Sequence, residues 1–154
     1  MVTNVTRLLS ANGIDHEVRT YQPDEDDLSA VKAAAALGWP QEQLFKTLVL
    51  RGERTGVFVC MIPGDEAIDL RKAARANGDK KCEMLAMKDL LATVGYVRGA
   101  CSPVGMKRKF PMYIEESCML WDRIAVSAGV RGAMVILAPE QLMAFVSAVA
   151  CDLI

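Results

Sequence analysis

One histidine, His16, is all that 154 residues supply. A serine or cysteine nucleophile of the usual kind needs an imidazole base beside it. Here that base would have to come from one residue on a short predicted strand, where a lone histidine reads as a surface residue. Five cysteines stand at Cys60, Cys82, Cys101, Cys118 and Cys151, with no C-x-x-C spacing and an odd count. With a single histidine they cannot assemble the usual Cys/His zinc site, so no metal and no cofactor is expected. Free thiols in a reducing compartment account for them. The chain also lacks G-x-x-x-x-G-K-[ST], G-x-G-x-x-G and G-x-S-x-G, which removes the P-loop, the dinucleotide fold and the nucleophile elbow. No apolar run approaches a membrane span of about 20 residues. Met1–Arg7 has no basic start leading into an apolar core, so a cytoplasmic protein is expected. The net charge of −1 leaves no global basic footprint, and any RNA contact must be local.

What is present is 52% hydrophobic and 24% charged, the balance of a globular chain. Its length suits one domain covering residues 1–154. Val5, Leu8 and Leu9 before Asn12-Gly13 predict a short amphipathic helix, and Ile14–Tyr21 a first strand. Asp24, Glu25, Asp26 and Asp27 form a solvated acidic loop. Ser29 caps a predicted helix over Ala30–Leu37 that Gly38 ends. Strands are expected at Leu44–Leu50 and Val57–Ile62, forming a hairpin across Arg51–Gly56. Asp69 caps a helix over Leu70–Ala76, stopped by Asn77-Gly78. A short strand near Lys81–Met84, a helix through Lys88–Ala92 and strands at Met112–Ile114, Ile124–Val126 and Ala133–Leu137 follow. Pro139-Glu140 opens a last helix with Leu142, Phe145, Val146 and Val149 on one side. Strands and helices mix without βαβ alternation, which predicts an α+β fold with a mixed, mainly antiparallel sheet.

The run Leu44-Phe45-Lys46-Thr47-Leu48-Val49-Leu50 carries a lysine inside a strand. Period-2 alternation puts Lys46 on the face of Leu44, Leu48 and Leu50. An unpaired ammonium among leucines is expensive. Either the strand is an edge whose lysine snorkels to water, or the lysine lies in a cleft and meets an anionic or carbonyl group. Gly95–Gly105 is the most punctuated segment; it cannot be helical, and its glycines let backbone approach a ligand. Together the two would hold an oxyanion or ester with preorganised donors. Basic clusters at Lys107-Arg108-Lys109, at Arg71-Lys72 with Arg75, and at Lys80-Lys81 would track a phosphate backbone if they faced the same cleft, and are otherwise ordinary solvated faces.

In order along the chain, Phe45-Lys46-Thr47-Leu48, Ile62-Pro63-Gly64-Asp65, Gly95-Tyr96, the loop Gly99-Ala-Cys-Ser102-Pro103-Val-Gly105, Val126-Ser127-Ala128-Gly129 and Arg131-Gly132 resemble the YbaK/EbsC family. These are aminoacyl-tRNA deacylases related to the editing insertion of prolyl-tRNA synthetase. The resemblance implies a β-barrel-like sheet wrapped by helices, and hydrolysis of the ester joining a wrong amino acid to the tRNA acceptor end, with cysteine on proline tRNA the first candidate. It implies Lys46 as the essential lysine, and Gly99 and Pro103 as the ends of a loop lining the ester, with Ala100, Cys101 and Ser102 between them. Thr47 belongs to the lysine motif, Tyr21 falls where a pocket aromatic is expected, and Ser127, Ala128 and Gly129 form another wall. In the cysteine branch the substrate's own thiol attacks its carbonyl, which suits a chain without a nucleophile, and a synthetase is the implied partner. The family loop usually reads Gly-Gly-Ile-Ser-Pro, so Ala100 adds a methyl and Cys101 a thiol. Cys101 reads either as a thiol beside the ester or as a small buried hydrophobe. Met134 stands near where some cysteine-specific members carry an acid. A binder of tRNA ends using the same pocket, and an interaction module presenting the final helix, are the alternatives to an enzyme.

Overall fold

The computed structural model describes residues Met1–Ile154. Its first helix, α1 (Asn4–Ala11), begins at Thr3, whose hydroxyl accepts from the Thr6 N–H while the Thr6 hydroxyl accepts from the Thr3 N–H. This reciprocal cap satisfies two donors that every helix start leaves open. The Thr3 hydroxyl also donates to the Ala128 carbonyl at 2.7 Å, tying the helix to the Ser127–Gly129 wall. Helix α2 (Ala30–Leu37) is capped by Ser29 and closed by Gly38 at φ 66°, a left-handed position that suits glycine. Its Ala33 and Ala34 are buried, and their small side chains bring the helix against Leu44, Ala125 and Ile136. Helices α3 (Leu70–Ala76), α4 (Leu90–Val94) and α5 (Pro139–Val146) complete the set.

Eight strands form two sheets. β1 (Glu17–Thr20), β7 (Ala133–Leu137) and β6 (Ile124–Ser127) make an antiparallel three-stranded sheet in the order β1-β7-β6. β4 (Cys82–Met84), β2 (Phe45–Gly52), β3 (Gly56–Pro63), β5 (Met112–Glu115) and β8 (Ala148–Cys151) make the other, in the order β4-β2-β3-β5-β8. The larger sheet is mixed: β3–β5 and β5–β8 pair parallel, the rest antiparallel. A single parallel bridge, Leu44 to Ala125, links the two sheets. The expected α+β class and mixed sheet stand; the sheets do not close into a barrel. The main core draws on both sheets and two helices, with Val5, Phe45, Met61, Ile114, Val126, Val135 and Leu142 all buried.

The last helix ends earlier than its hydrophobic pattern suggested. Ser147 turns left-handed at φ 57°, α5 stops at Val146, and the next four residues become β8. Phe145 and Val146 pack on the core, whereas Val149 sits exposed on a sheet edge. The open edge of β5 decides the outcome, and it lies far away in sequence. The first strand is likewise shorter than expected, because Ile14 N–H closes α1 by donating to the Leu9 carbonyl.

The β2–β3 turn, Glu53-Arg54-Thr55, is clamped from outside by Asp79. This buried carboxylate accepts from the N–H groups of Arg54 and Thr55, from the Thr55 hydroxyl at 2.6 Å and from the Asn77 amide. The Thr55 hydroxyl above all, with the Asn77 amide and the two backbone donors, holds its pKa below the ordinary carboxylate value. A carboxyl whose folded pKa is lowered contributes stability above its unfolded pKa, and that contribution is lost as pH falls through the folded value. We therefore expect the urea midpoint to drop as pH falls below about 5 and on through the lowered folded pKa, and to drop less in Asp79→Asn, which starts lower at neutral pH. Equal acid sensitivity in the two proteins would contradict the clamp.

Candidate active site

The cleft opens where β2 leaves β6 and before β4 joins it. It encloses about 560 Å³ and is lined mainly by apolar groups, which suits a site that excludes water from a few polar ones. Its charged lining is Lys46 and Arg98 against Asp65.

Lys46 is the second residue of β2, half-buried, across from Ile62 on β3. Its ammonium donates to the Gly64 carbonyl at 3.2 Å, and no carboxylate pairs with it. Gly64 is held by its own N–H, which donates to the Leu44 carbonyl at 2.7 Å, so the acceptor is fixed. A lysine has three N–H donors, and two here remain for a ligand. Burial lowers the Lys46 pKa, partly offset by the nearby charges of Asp65 and Glu66. The cleft reading, rather than a lysine snorkelling from a bare edge, is the one the geometry fits.

The glycine loop meets the cleft through Arg98, Gly99 and Cys101. Gly99, at φ 84°, lies under Leu28, and a Cβ there would stand 3.3 Å from three Leu28 carbons in a backbone conformation that favours glycine. Gly99 and Cys101 line the cleft, whereas Ala100, Ser102 and Pro103 are buried behind it. Ala100 accepts at its carbonyl from the Ser127 hydroxyl at 2.9 Å, and the same hydroxyl accepts from the Gly129 N–H. Ser127 therefore lines the cleft and also ties loop to wall; Gly129 sits behind it under Tyr96. Burial pushes the Cys101 thiol up to about 12, so it stays protonated at neutral pH and acts as packing. Tyr21 and Thr47 line the cleft, as does Met134, an apolar group on the β7 wall.

The structure gathers Tyr21, Lys46, Thr47, Gly99, Cys101 and Ser127 around one space and sets Ala100, Ser102, Pro103 and Gly129 in its support. It does not bring the basic clusters there. Lys107 donates to the Ala92 carbonyl, Arg108 stacks over Phe110 at 4.3 Å, and Lys72 pairs with Asp152 at 2.8 Å. Sequence reading missed Leu28, Arg98 and the wall of Met84, Leu85, Met87 and Leu90. Only the glycine loop hinted at Arg98; the wall carries no local signal, since it depends on where β4 pairs.

The site thus combines a half-buried lysine with two unused donors and a glycine loop in one cleft of an α+β fold. The profile of the aminoacyl-tRNA editing domain matches residues 24–145. The chain belongs to that family, whose enzymes are hydrolases of mischarged tRNA. It is 45% identical over 141 residues, 92% of this chain and 86% of the other, to an Enterococcus faecalis protein named "Putative Cys-tRNA(Pro)/Cys-tRNA(Cys) deacylase EbsC". It is 32% identical over 89 residues to the proline–tRNA ligase of Fervidobacterium nodosum, of which it spans 15%. A solved structure described as "a putative trans-editing enzyme for prolyl tRNA synthetase" superimposes with a TM-score of 0.84 at 25% identity, covering 99% of this chain and 98% of that one.

Proposed function

We propose that this chain, as one domain, is a trans-editing aminoacyl-tRNA deacylase acting in the cytoplasm, with cysteine on proline tRNA as its first substrate. The observation that carries the reading is Lys46, which lines the same cleft as Gly99 with two donors unused. Water adds to the ester carbonyl carbon, the bond from that carbon to the ribose oxygen breaks, and the proton released by water passes to the ribose oxygen. Fixed donors stabilise the charge that grows on the carbonyl oxygen, which is the term such sites use most heavily. Where the substrate is cysteinyl, its own thiol adds to the carbonyl carbon first, and the bond from that carbon to the ribose oxygen breaks as the thiol proton passes to that oxygen. Water then opens the cyclic thioester to free cysteine.

The relative from Enterococcus faecalis supports cysteine as the released amino acid. Met134 offers the substrate amine no charge, so other small amino acids are the competitors. Release of amino acid from a panel of charged tRNAs tests the reading: cysteine, alanine and serine on proline tRNA, with cognate prolyl-tRNA as control. Selective release of cysteine is the expected result. No release from any of them, with the tRNA end still bound, would leave the cleft as a binding pocket.

With two cations lining the cleft and the basic clusters turned elsewhere, binding to the acceptor end is loose, and a synthetase supplies the remaining tRNA recognition. Binding of tRNA by the isolated chain at physiological salt as tight as with prolyl-tRNA synthetase present would overturn this part.

A further inference from the structure

One stretch of β2 has no partner on its outer edge. β3 covers the other edge along the whole strand, from Phe45 opposite Pro63 to Gly52 opposite Gly56. On the outer edge β4 reaches only Leu50–Gly52, and the following Leu85 N–H donates to the Val49 carbonyl at 2.9 Å. At the near end β6 touches that edge through the Leu44–Ala125 bridge and continues no further along it. Along an antiparallel strand the main-chain groups of alternate residues point to the same edge. Because the Val49 carbonyl faces β4, the N–H and C=O of Thr47, two residues earlier, face the gap between β6 and β4.

That gap is the cleft. Thr47 also carries a side-chain oxygen that is buried and has no hydrogen-bond partner. Native proteins rarely leave buried polar groups unpaired, and this hydroxyl lies beside the open strand edge. An α-amino acid ester has the N–Cα–C=O skeleton of a strand residue. It can therefore exchange two hydrogen bonds with one residue across an antiparallel pair.

We propose that Thr47 holds the aminoacyl group as a one-residue strand, its N–H donating to the ester carbonyl oxygen and its C=O accepting from the α-ammonium. The assignment rests on the deacylase reading and deepens it. β3 holds β2 along its other edge, so the Thr47 N–H needs no reorganisation as charge builds on the carbonyl oxygen. The amine meets a neutral acceptor here, since the one carboxylate of the lining, Asp65, lies on the Lys46 side.

Thr47→Pro deletes the N–H, and proline is accepted on a strand edge where no ladder bond is lost. Thr47→Val keeps the main chain and removes only the hydroxyl. The readouts are kcat and KM for deacylation, with thermal unfolding as the check on folding. Thr47→Pro is expected to lose about 10²- to 10³-fold in kcat, and Thr47→Val less than about tenfold. In a separate arm, wild type is expected to cleave N-acetylated aminoacyl-tRNA at least about tenfold more slowly than the free-amine form. A folded Thr47→Pro variant within about threefold of wild type, or equal cleavage of both substrates, overturns the assignment while deacylation itself stands. If the proline variant does not fold, the substrate arm decides. A wild type inactive on every charged tRNA overturns the deacylase reading and this one together.

Discussion

Lys46→Ala is expected to lower kcat/KM for deacylation by about 10²- to 10³-fold, equivalent to about 2.7–4 kcal/mol of transition-state stabilisation. The side chain reaches the cleft on one hydrogen bond to Gly64 and makes no ion pair, so its removal costs the fold little. Lys46→Met, which keeps the stem and loses the charge, should lose as much activity with an unchanged unfolding temperature. The pH profile gives a second check. Burial holds the Lys46 pKa below the ordinary lysine value, so the ammonium is lost earlier on the alkaline side than it would be in water. Once spontaneous ester hydrolysis is subtracted, the wild-type rate should fall as pH rises through that lowered pKa. Lys46→Arg, which stays charged, should lack the falling limb whatever activity it keeps. A wild-type rate that is flat to the top of the lysine range, or a fully active alanine variant, would remove Lys46 from the chemistry.

Gly52→Val, at a buried position, is expected to destabilise the fold. A Cβ at position 52 would stand 2.0 Å from Asp79 Oδ2 and 2.9 Å from the Thr55 hydroxyl. The carboxylate is held by four donors and cannot move aside without releasing the β2–β3 turn. Overpacking of this kind costs about 1–3 kcal/mol. For a chain of this length each kcal/mol shifts the unfolding temperature by about 2–4 °C. Thermal unfolding followed by circular dichroism measures the drop. The double variant Gly52→Val with Asp79→Ala should be less destabilised than the sum of the two changes, because removing the carboxylate removes the collision. Strict additivity would mean the two side chains do not meet.

How much of this was legible beforehand depends on whether the deciding signal was local. Helices α2 and α3 lie where expected because their stops are adjacent in the chain: Ser29 and Gly38 for one, Asp69 and Asn77-Gly78 for the other. The alternation around Lys46 also held. Leu48 and Leu50 share its face toward Phe58 and Cys60, while Phe45 and Val49 pack the opposite way. Leu44, one residue before the strand, departs from that pattern and packs under α2. β8 was not legible, since Ala148–Cys151 is too short to show a period and gains its identity from β5. The site divides in the same way. Lys46, Gly99 and Ser127 came from motifs within single segments, but the Met84–Leu90 wall exists because β4 pairs with only the end of β2. Within the glycine loop, contiguous residues suggested contiguous lining, yet only Arg98, Gly99 and Cys101 reach the cleft while Ala100, Ser102 and Pro103 are buried behind it.

The strand order has a consequence for the birth of the molecule. Glu17 lies across from Ile136, and β5 receives its outer neighbour only from Ala148–Cys151. Neither sheet can be completed by the segments that leave the ribosome first. Domains usually gain structure as they emerge, but this one must wait for its last two strands with Glu17–Thr20 and the β5 edge uncovered. Pairings so distant along the chain slow the search for the native state. The nascent chain thus spends its most vulnerable interval with open strand edges, the condition in which a cell's chaperones have most to do.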